Sequence, residues 1–211
     1  MSLRVGLRSM ARPPQKKKVI VTLLSDGFET FPTGWTTGTG GTGTITKSST
    51  QAHGGTYRAK VYSPVDSAIA YAYRGVTRTP GTLVYDIWIW IDSSVKPSDF
   101  NYLIEMYDTV GGGLVFDLGY KWNVDHFTAT TKNAPFTPEV VGTLASGQWV
   151  HVVVSVNQST GKADVYFDDV YQGQFTIAGG TTKQTNRLYF GDTSAGGQSA
   201  FFYYDDLLLT A

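Results

Sequence analysis

Between Gly147 and Phe175 the chain reads GQWVHVVVSVNQSTGKADVYFDDVYQGQF, and this stretch restricts the fold more than any other. Trp149 to Val156 is a run of β-branched and aromatic residues, Asn157 to Gly161 is polar and turn-forming, and Ala163 to Asp168 is extended again. That is the pattern of an antiparallel hairpin. At period two, Val150, Val152, Val154 and Val156 share an apolar face, while Trp149, His151, Val153 and Ser155 share a mixed one. Val165 and Phe167 extend the apolar face onto the return strand. A hairpin is marginal by itself, so the rest of the chain must supply strands that cover the valines.

Those strands are visible. Val19 to Leu24 opens the ordered part, Tyr57 to Val61 and Ala68 to Arg74 follow, and Leu83 to Ile91 (LVYDIWIWI) alternates most strongly. Tyr102 to Asp108 sets Tyr102, Ile104 and Met106 against Leu103, Glu105 and Tyr107, and Leu114 to Leu118 continues in the same style. Tyr120, Trp122, His126 and Phe127 extend the pattern, and Leu188 to Gly191 and Phe201 to Leu209 close it. Thr36 to Thr44 reads as a flexible Gly/Thr loop with no lysine placed to hold a phosphate. No stretch has a sustained helical period, so the expected fold is an all-β, two-sheet antiparallel jelly-roll sandwich over residues 19–211. Residues 1–18, MSLRVGLRSMARPPQKKK, read as a basic disordered tail; an arm for an anionic partner is the functional alternative.

Composition limits what such a sandwich does. Seventeen basic and 17 acidic residues cancel, which leaves no field to gather nucleic acid. Charged residues make up 16% of the chain, so Thr, Ser, Gly, Asn and Gln must build much of the surface, as in extracellular or virion and cell-surface sandwiches. There is no cysteine, and the three histidines have no metal-ligand spacing, so thiolate chemistry is excluded and zinc disfavoured. No apolar run approaches a membrane span.

The segment GQWVHVVVSVNQSTGKADVYFDD resembles the laminin G-like pattern of a tryptophan-led strand, a short turn and a strand ending in an acidic turn, with Asp168 and Asp169 where those domains often carry Asp-Gly. The chain is thereby similar to the concanavalin A-like lectin/glucanase superfamily, which implies the jelly-roll fold. LLSDGFE near the start and FFYYDDLLL at the finish look like the terminal strands of β-sandwich carbohydrate-binding modules. That resemblance implies a structural calcium held by acids from both ends. Asp26, Glu29, Asp205 and Asp206 would supply carboxylates, and backbone carbonyls near His53 to Thr56 would complete the six to eight oxygens that calcium takes.

A second constellation is the mixed face of the central strands. Asp86, Trp88, Trp90, Glu105, Tyr107, Asp117, Trp149 and His151 all lie opposite the apolar positions of their own strands. If those strands are neighbours, they form one concave surface of rings and hydrogen-bonding groups suited to a polysaccharide or glycan. Trp149 reads as core, since the corresponding laminin G-like ring is usually buried. Were the face catalytic, Glu105, Asp117 and Asp86 would be the candidate acids of a hydrolase. However, NYLIEMYDTV lacks the alternating-acid motif of jelly-roll glucanases. A lyase could draw on Tyr107, His151 or His126, yet the central strands hold no arginine to neutralise a uronate. The expectation is therefore a non-catalytic, lectin-like carbohydrate-binding domain with structural calcium. The alternatives are a structural or adhesion module that self-associates or packs in an assembly, and a polysaccharide hydrolase or lyase.

Overall fold

The structure is a computed structural model that describes residues 20–64, 68–77, 81–92, 100–121, 126–130, 139–143, 147–178, 180–193 and 200–211. The basic tail and Trp122 lie outside the described residues. The strands are β1 (Thr22–Asp26), β2 (Thr36–Gly40), β3 (Thr44–Ser48), β4 (Arg58–Ser63), β5 (Ile69–Gly75), β6 (Thr82–Ile91), β7 (Phe100–Asp108) and β8 (Gly113–Lys121). They continue with β9 (His126–Thr130), β10 (Glu139–Thr143), β11 (Trp149–Asn157), β12 (Lys162–Phe167), β13 (Val170–Thr176), β14 (Arg187–Asp192) and β15 (Ala200–Thr210).

They form the two-sheet antiparallel sandwich that the alternation implies. The first sheet runs β13-β12-β11-β6-β15-β4-β3, with β1 also paired to β15, and the second runs β10-β9-β8-β7-β14-β5-β2. The hairpin of β11 and β12 forms in the expected register, Val154 opposite Val165 and Val152 opposite Phe167. Val150, Val152, Val154 and Val156 are fully buried, as are Leu83, Tyr85, Ile87, Ile89 and Ile91 on the adjoining β6. The second sheet meets them with Ile104, Met106, Phe116, Leu118, Leu188 and Phe190. Asp168 and Asp169 both adopt positive φ, 48° and 65°, the conformation a two-residue hairpin turn needs and aspartate tolerates.

Two sequence expectations change. The Gly/Thr stretch from Thr36 is not a loop: Thr36–Gly40 is edge strand β2, paired with β5, and Thr44 begins β3. Also, the register between β7 and β8 shifts between Tyr102 and Ile104. The extra residue reverses the alternation, so Leu103 turns into the core and Tyr102, expected on the apolar side, stays half-buried.

Candidate active site

The proposed single surface is divided between the two sheets. Asp86, Trp88, Trp90 and His151 occupy the outward face of the first sheet, on β6 and β11, where Trp88 lies opposite His151 and Trp90 opposite Trp149. Glu105, Tyr107 and Asp117 lie on β7 and β8 of the second sheet, with Glu105 opposite Asp117. The expectation treated strands consecutive in sequence as neighbours. Here the chain instead changes sheet after β6, so the two groups sit on opposite outer faces of the sandwich.

The first of these faces is occupied by its own side chains. The Trp88 indole is stacked between two imidazoles, His53 at 3.7 Å and His151 at 4.8 Å between centroids. Each imidazole is anchored by a carboxylate, His53 Nδ1 by Asp206 at 2.9 Å and His151 Nε2 by Asp86 at 2.7 Å. Trp90 meets Trp149 edge-on at 6.0 Å, so Trp149 is half-buried on this outer face rather than in the core. A sugar stacks on an open ring face, and the Trp88 ring is already stacked with two imidazoles. Trp88→Ala is therefore expected to cost about 2–3 kcal/mol of folding stability, read by denaturant titration, and to leave polysaccharide affinity unchanged.

The outward face of the second sheet is built differently. Its strands place Asp117, Glu105, Tyr189, Tyr73 and Thr36 in one cross-strand row, with Tyr107 and Arg187 paired in the row beside it. The core needs of β14 and β5 explain why these side chains point outward. Leu188 and Phe190 turn inward on RLYFGD, and Ala70 and Ala72 do so on IAYAYRG, leaving Arg187, Tyr189, Tyr71 and Tyr73 outside. Four phenol rings cluster there: Tyr189 lies 5.1 Å from Tyr73, 5.2 Å from Tyr107 and 5.8 Å from Tyr71. Ile69, Tyr71, Glu105, Tyr107, Tyr189 and Thr193 enclose a cleft of about 270 Å³.

Glu105 forms the floor of this cleft and is 3% exposed. Its Oε2 accepts the Thr193 hydroxyl at 2.5 Å, and its Oε1 accepts the Tyr107 hydroxyl at 3.2 Å. Burial pushes the carboxyl up to about 7, against the pull of those two hydrogen bonds and with a further upward push from Asp192. Burial likewise raises the Tyr107 and Tyr102 phenols, with Glu105 and Asp117 adding to the effect, so both hold their protons firmly. Arg187 donates to the Tyr189 hydroxyl at 3.2 Å and lies over the Tyr73 ring at 4.6 Å. The cleft thus holds a protonatable carboxyl and three phenols, Tyr71, Tyr107 and Tyr189, with the Arg187 guanidinium bonded to Tyr189 beside it. Arg187, Tyr189, Tyr71, Tyr73 and Thr193 were not read as site residues from the sequence. The alternation in IAYAYRG and RLYFGD carried the signal for all but Thr193. Arg187 is a cation beside the cleft on β14, a strand adjoining β7, rather than in the central run.

At the chain termini, topology does bring the four candidate calcium acids towards one seam, because β1 pairs with β15. Each of the four is already hydrogen-bonded to at least one nitrogen. Asp26 accepts from Phe28 N and Trp35 Nε1, both at 2.7 Å, and Glu29 Oε1 accepts from Thr56 N and Tyr57 N. These last two bonds lower the Glu29 carboxyl below its ordinary value. Asp205 Oδ2 accepts from His53 N and Gly54 N, and Asp206 holds the His53 ring. Among the described residues no three acidic or imidazole groups converge closely enough to hold a metal ion.

Solved structures that share this fold, all at low identity, include several proteins named for carbohydrates. Cellulose induced protein Cip1 matches with TM-score 0.67 and 17% identity over 88% of this chain and 96% of that one. An endo-β-1,4-glucuronan lyase from the fungus Trichoderma reesei matches with TM-score 0.63 and 12% identity over 84% and 91%. A carbohydrate esterase of the Shiga toxin-encoding bacteriophage phi24B matches with TM-score 0.69 and 11% identity over 92% and 99%. A search of curated protein sequences gives no match. The expectation of a non-catalytic chain is corrected on these grounds: most of the structural neighbours are named as polysaccharide-acting enzymes. The low-charge, motif-poor sequence that argued against catalysis conceals a cleft whose groups come from strands scattered along the chain. Residues 74–209, well over half of the 211, match the laminin G-type profile described as "Concanavalin A-like lectin/glucanases superfamily", and the chain belongs to that family.

Proposed function

We propose that the chain is a polysaccharide lyase that cleaves a uronate-containing glycan by β-elimination in the cleft of the second sheet. The observation that carries this is the meeting of Glu105, held protonated to about pH 7, with the Arg187–Tyr189 pair and Tyr107 on one open face. In β-elimination a base removes the proton on the carbon α to the uronate carboxylate. The electrons form a carbon–carbon double bond, the glycosidic C–O bond on the next carbon breaks, and the departing oxygen takes a proton. The protonated Glu105 donates a hydrogen bond to the substrate carboxylate, which stabilises the charge that develops there. Tyr189, whose Oη accepts a hydrogen bond from the Arg187 guanidinium, is the base that takes the proton. Tyr107, whose phenol is kept protonated by burial and by Glu105, returns a proton to the leaving oxygen.

The hydrolase alternative rests on the Glu105–Asp117 register pair. A hydrolase needs both carboxylates at the sugar, yet Asp117 is fully buried and does not line the cleft. The structural likeness to a glucuronan lyase supports elimination over hydrolysis. Incubation with glucuronan, alginate and pectate decides it. Products with the ultraviolet absorbance of an unsaturated uronate support the reading, whereas new reducing ends without that absorbance, or no products, defeat it. A uronate polymer as substrate supports an extracellular or surface-associated location.

Structural calcium at the terminal seam is a separate proposal. Asp206 and Glu29, with carbonyls of residues 53–56, would hold it once His53 leaves Asp206. A rise of several degrees in melting temperature with calcium over chelator supports this, and superimposable melts end it.

A further inference from the structure

The edge strand β2 carries glycine at two alternate positions, and neither is there for its backbone. Glycine weakens a strand, and it is required where φ is positive; Gly38 and Gly40 have no positive φ. What they provide is space. Gly38 pairs directly with Tyr71 and Gly40 with Ile69 across β5. A methyl group at Gly38 would fall within the far end of the Tyr71 ring, overlapping Cζ, Oη and Cε2. At Gly40 it would lie 2.8 Å from Ile69 Cγ1. Tyr71 therefore leans from its own strand across the neighbouring one, with its ring tip resting on the glycine backbone. Both Tyr71 and Ile69 line the cleft that holds Glu105. Any larger residue at 38 would lift the ring into that cleft and narrow it.

We propose that Gly38 is a specificity-determining residue that lays Tyr71 down as a sugar-stacking platform, a pyranose-binding subsite at the β2 end of the cleft. The proposal rests on the lyase reading for its kinetic readout. Gly38 is a positioning residue, since it acts through Tyr71. Because the atoms displaced belong to the free end of a side chain, Gly38→Val is expected to fold as the parent does, with an equal or higher melting temperature.

The kinetic expectation is a split. Gly38→Val and Tyr71→Ala each raise KM for a polyuronate about tenfold or more with kcat within about threefold, because uniform binding is lost and the chemistry is not. Tyr71→Phe keeps the ring and stays near the parent. The double variant G38V/Y71A is no worse than Y71A, since both changes remove one platform. An unchanged KM in G38V, or a loss in Y71F equal to that in Y71A, overturns the proposal. Affinity electrophoresis in polyuronate gels separates this from the fate of the lyase reading. A parent that is retarded but makes no unsaturated product, beside a G38V variant that is not retarded, sinks the lyase and upholds the subsite. Equal mobility of the two proteins sinks the subsite.

Discussion

Tyr189→Phe is expected to lower kcat on a polyuronate by about 10²–10⁴-fold while leaving the fold and KM near those of the parent. The substitution removes one oxygen. The ring that packs against Tyr73, Tyr107 and Tyr71 remains, so the cluster on β5, β7 and β14 keeps its shape. What disappears is the acceptor of the Arg187 hydrogen bond and, with it, the atom that takes the substrate proton. Arg187→Met should cause a loss of the same order, because Tyr189 Oη then loses the guanidinium that donates to it. The double variant should be little worse than either single one, since groups acting as a unit are strongly non-additive. Single-turnover kinetics with a defined uronate oligosaccharide measure this. A Tyr189→Phe enzyme that keeps a kcat within a few-fold of the parent would remove Tyr189 from the chemistry.

The second large effect concerns Glu105 and pH. If the protonated carboxyl is the working form, kcat/KM falls as pH rises through about 7, the value to which burial raises this group. Glu105→Gln keeps a neutral donor at the same place, so it should retain activity within about tenfold and lose the descending limb. A glycosidase acid would behave in the opposite way, because an amide cannot deliver a proton. The same shift governs stability. The folded carboxyl titrates near 7 and its ordinary value is 4.5, so between those pH values the native state holds a proton that the unfolded state has released. Its contribution is thus greatest at or below about pH 4.5 and is lost as pH rises through 7, a total of about 3 kcal/mol. Asp205 is raised by burial as well and contributes with the same sign. The difference between parent and E105Q isolates Glu105: the variant should be the more stable protein above pH 7, and equal pH slopes of the two melting curves would refute the assignment.

The alternation of apolar residues was enough to read the sandwich, because each strand reports its own buried face. Val150 to Val156 and Leu83 to Ile91 needed no partner to declare which side is core. Which strands share a sheet is a different kind of information, set by long connections and by packing. That is why Trp88 and Glu105, close in sequence and alike in alternation, end on opposite faces. Tyr102 was misread because a one-residue bulge is invisible to a period-two count. The Gly/Thr composition of β2 looked like a loop because glycine and threonine alternate there for the sake of Tyr71 and Ile69. Those residues also precede the span that matches the family profile, 74–209, so family likeness alone would not reveal that wall of the cleft.

The position of β15 bears on how the molecule assembles. The last strand of the chain is an interior one, with Phe202 beside Ile91 on one side and Val61 on the other. Until it emerges from the ribosome, β6 with its hairpin and β4 with β3 remain two separate ribbons, each with an open edge. Contacts this distant along the chain make folding slow and expose unpaired edges while it proceeds. Completion of the sheet is therefore expected only once β15 is available, and removal of β15 should leave two aggregation-prone halves rather than a sandwich with a trimmed border.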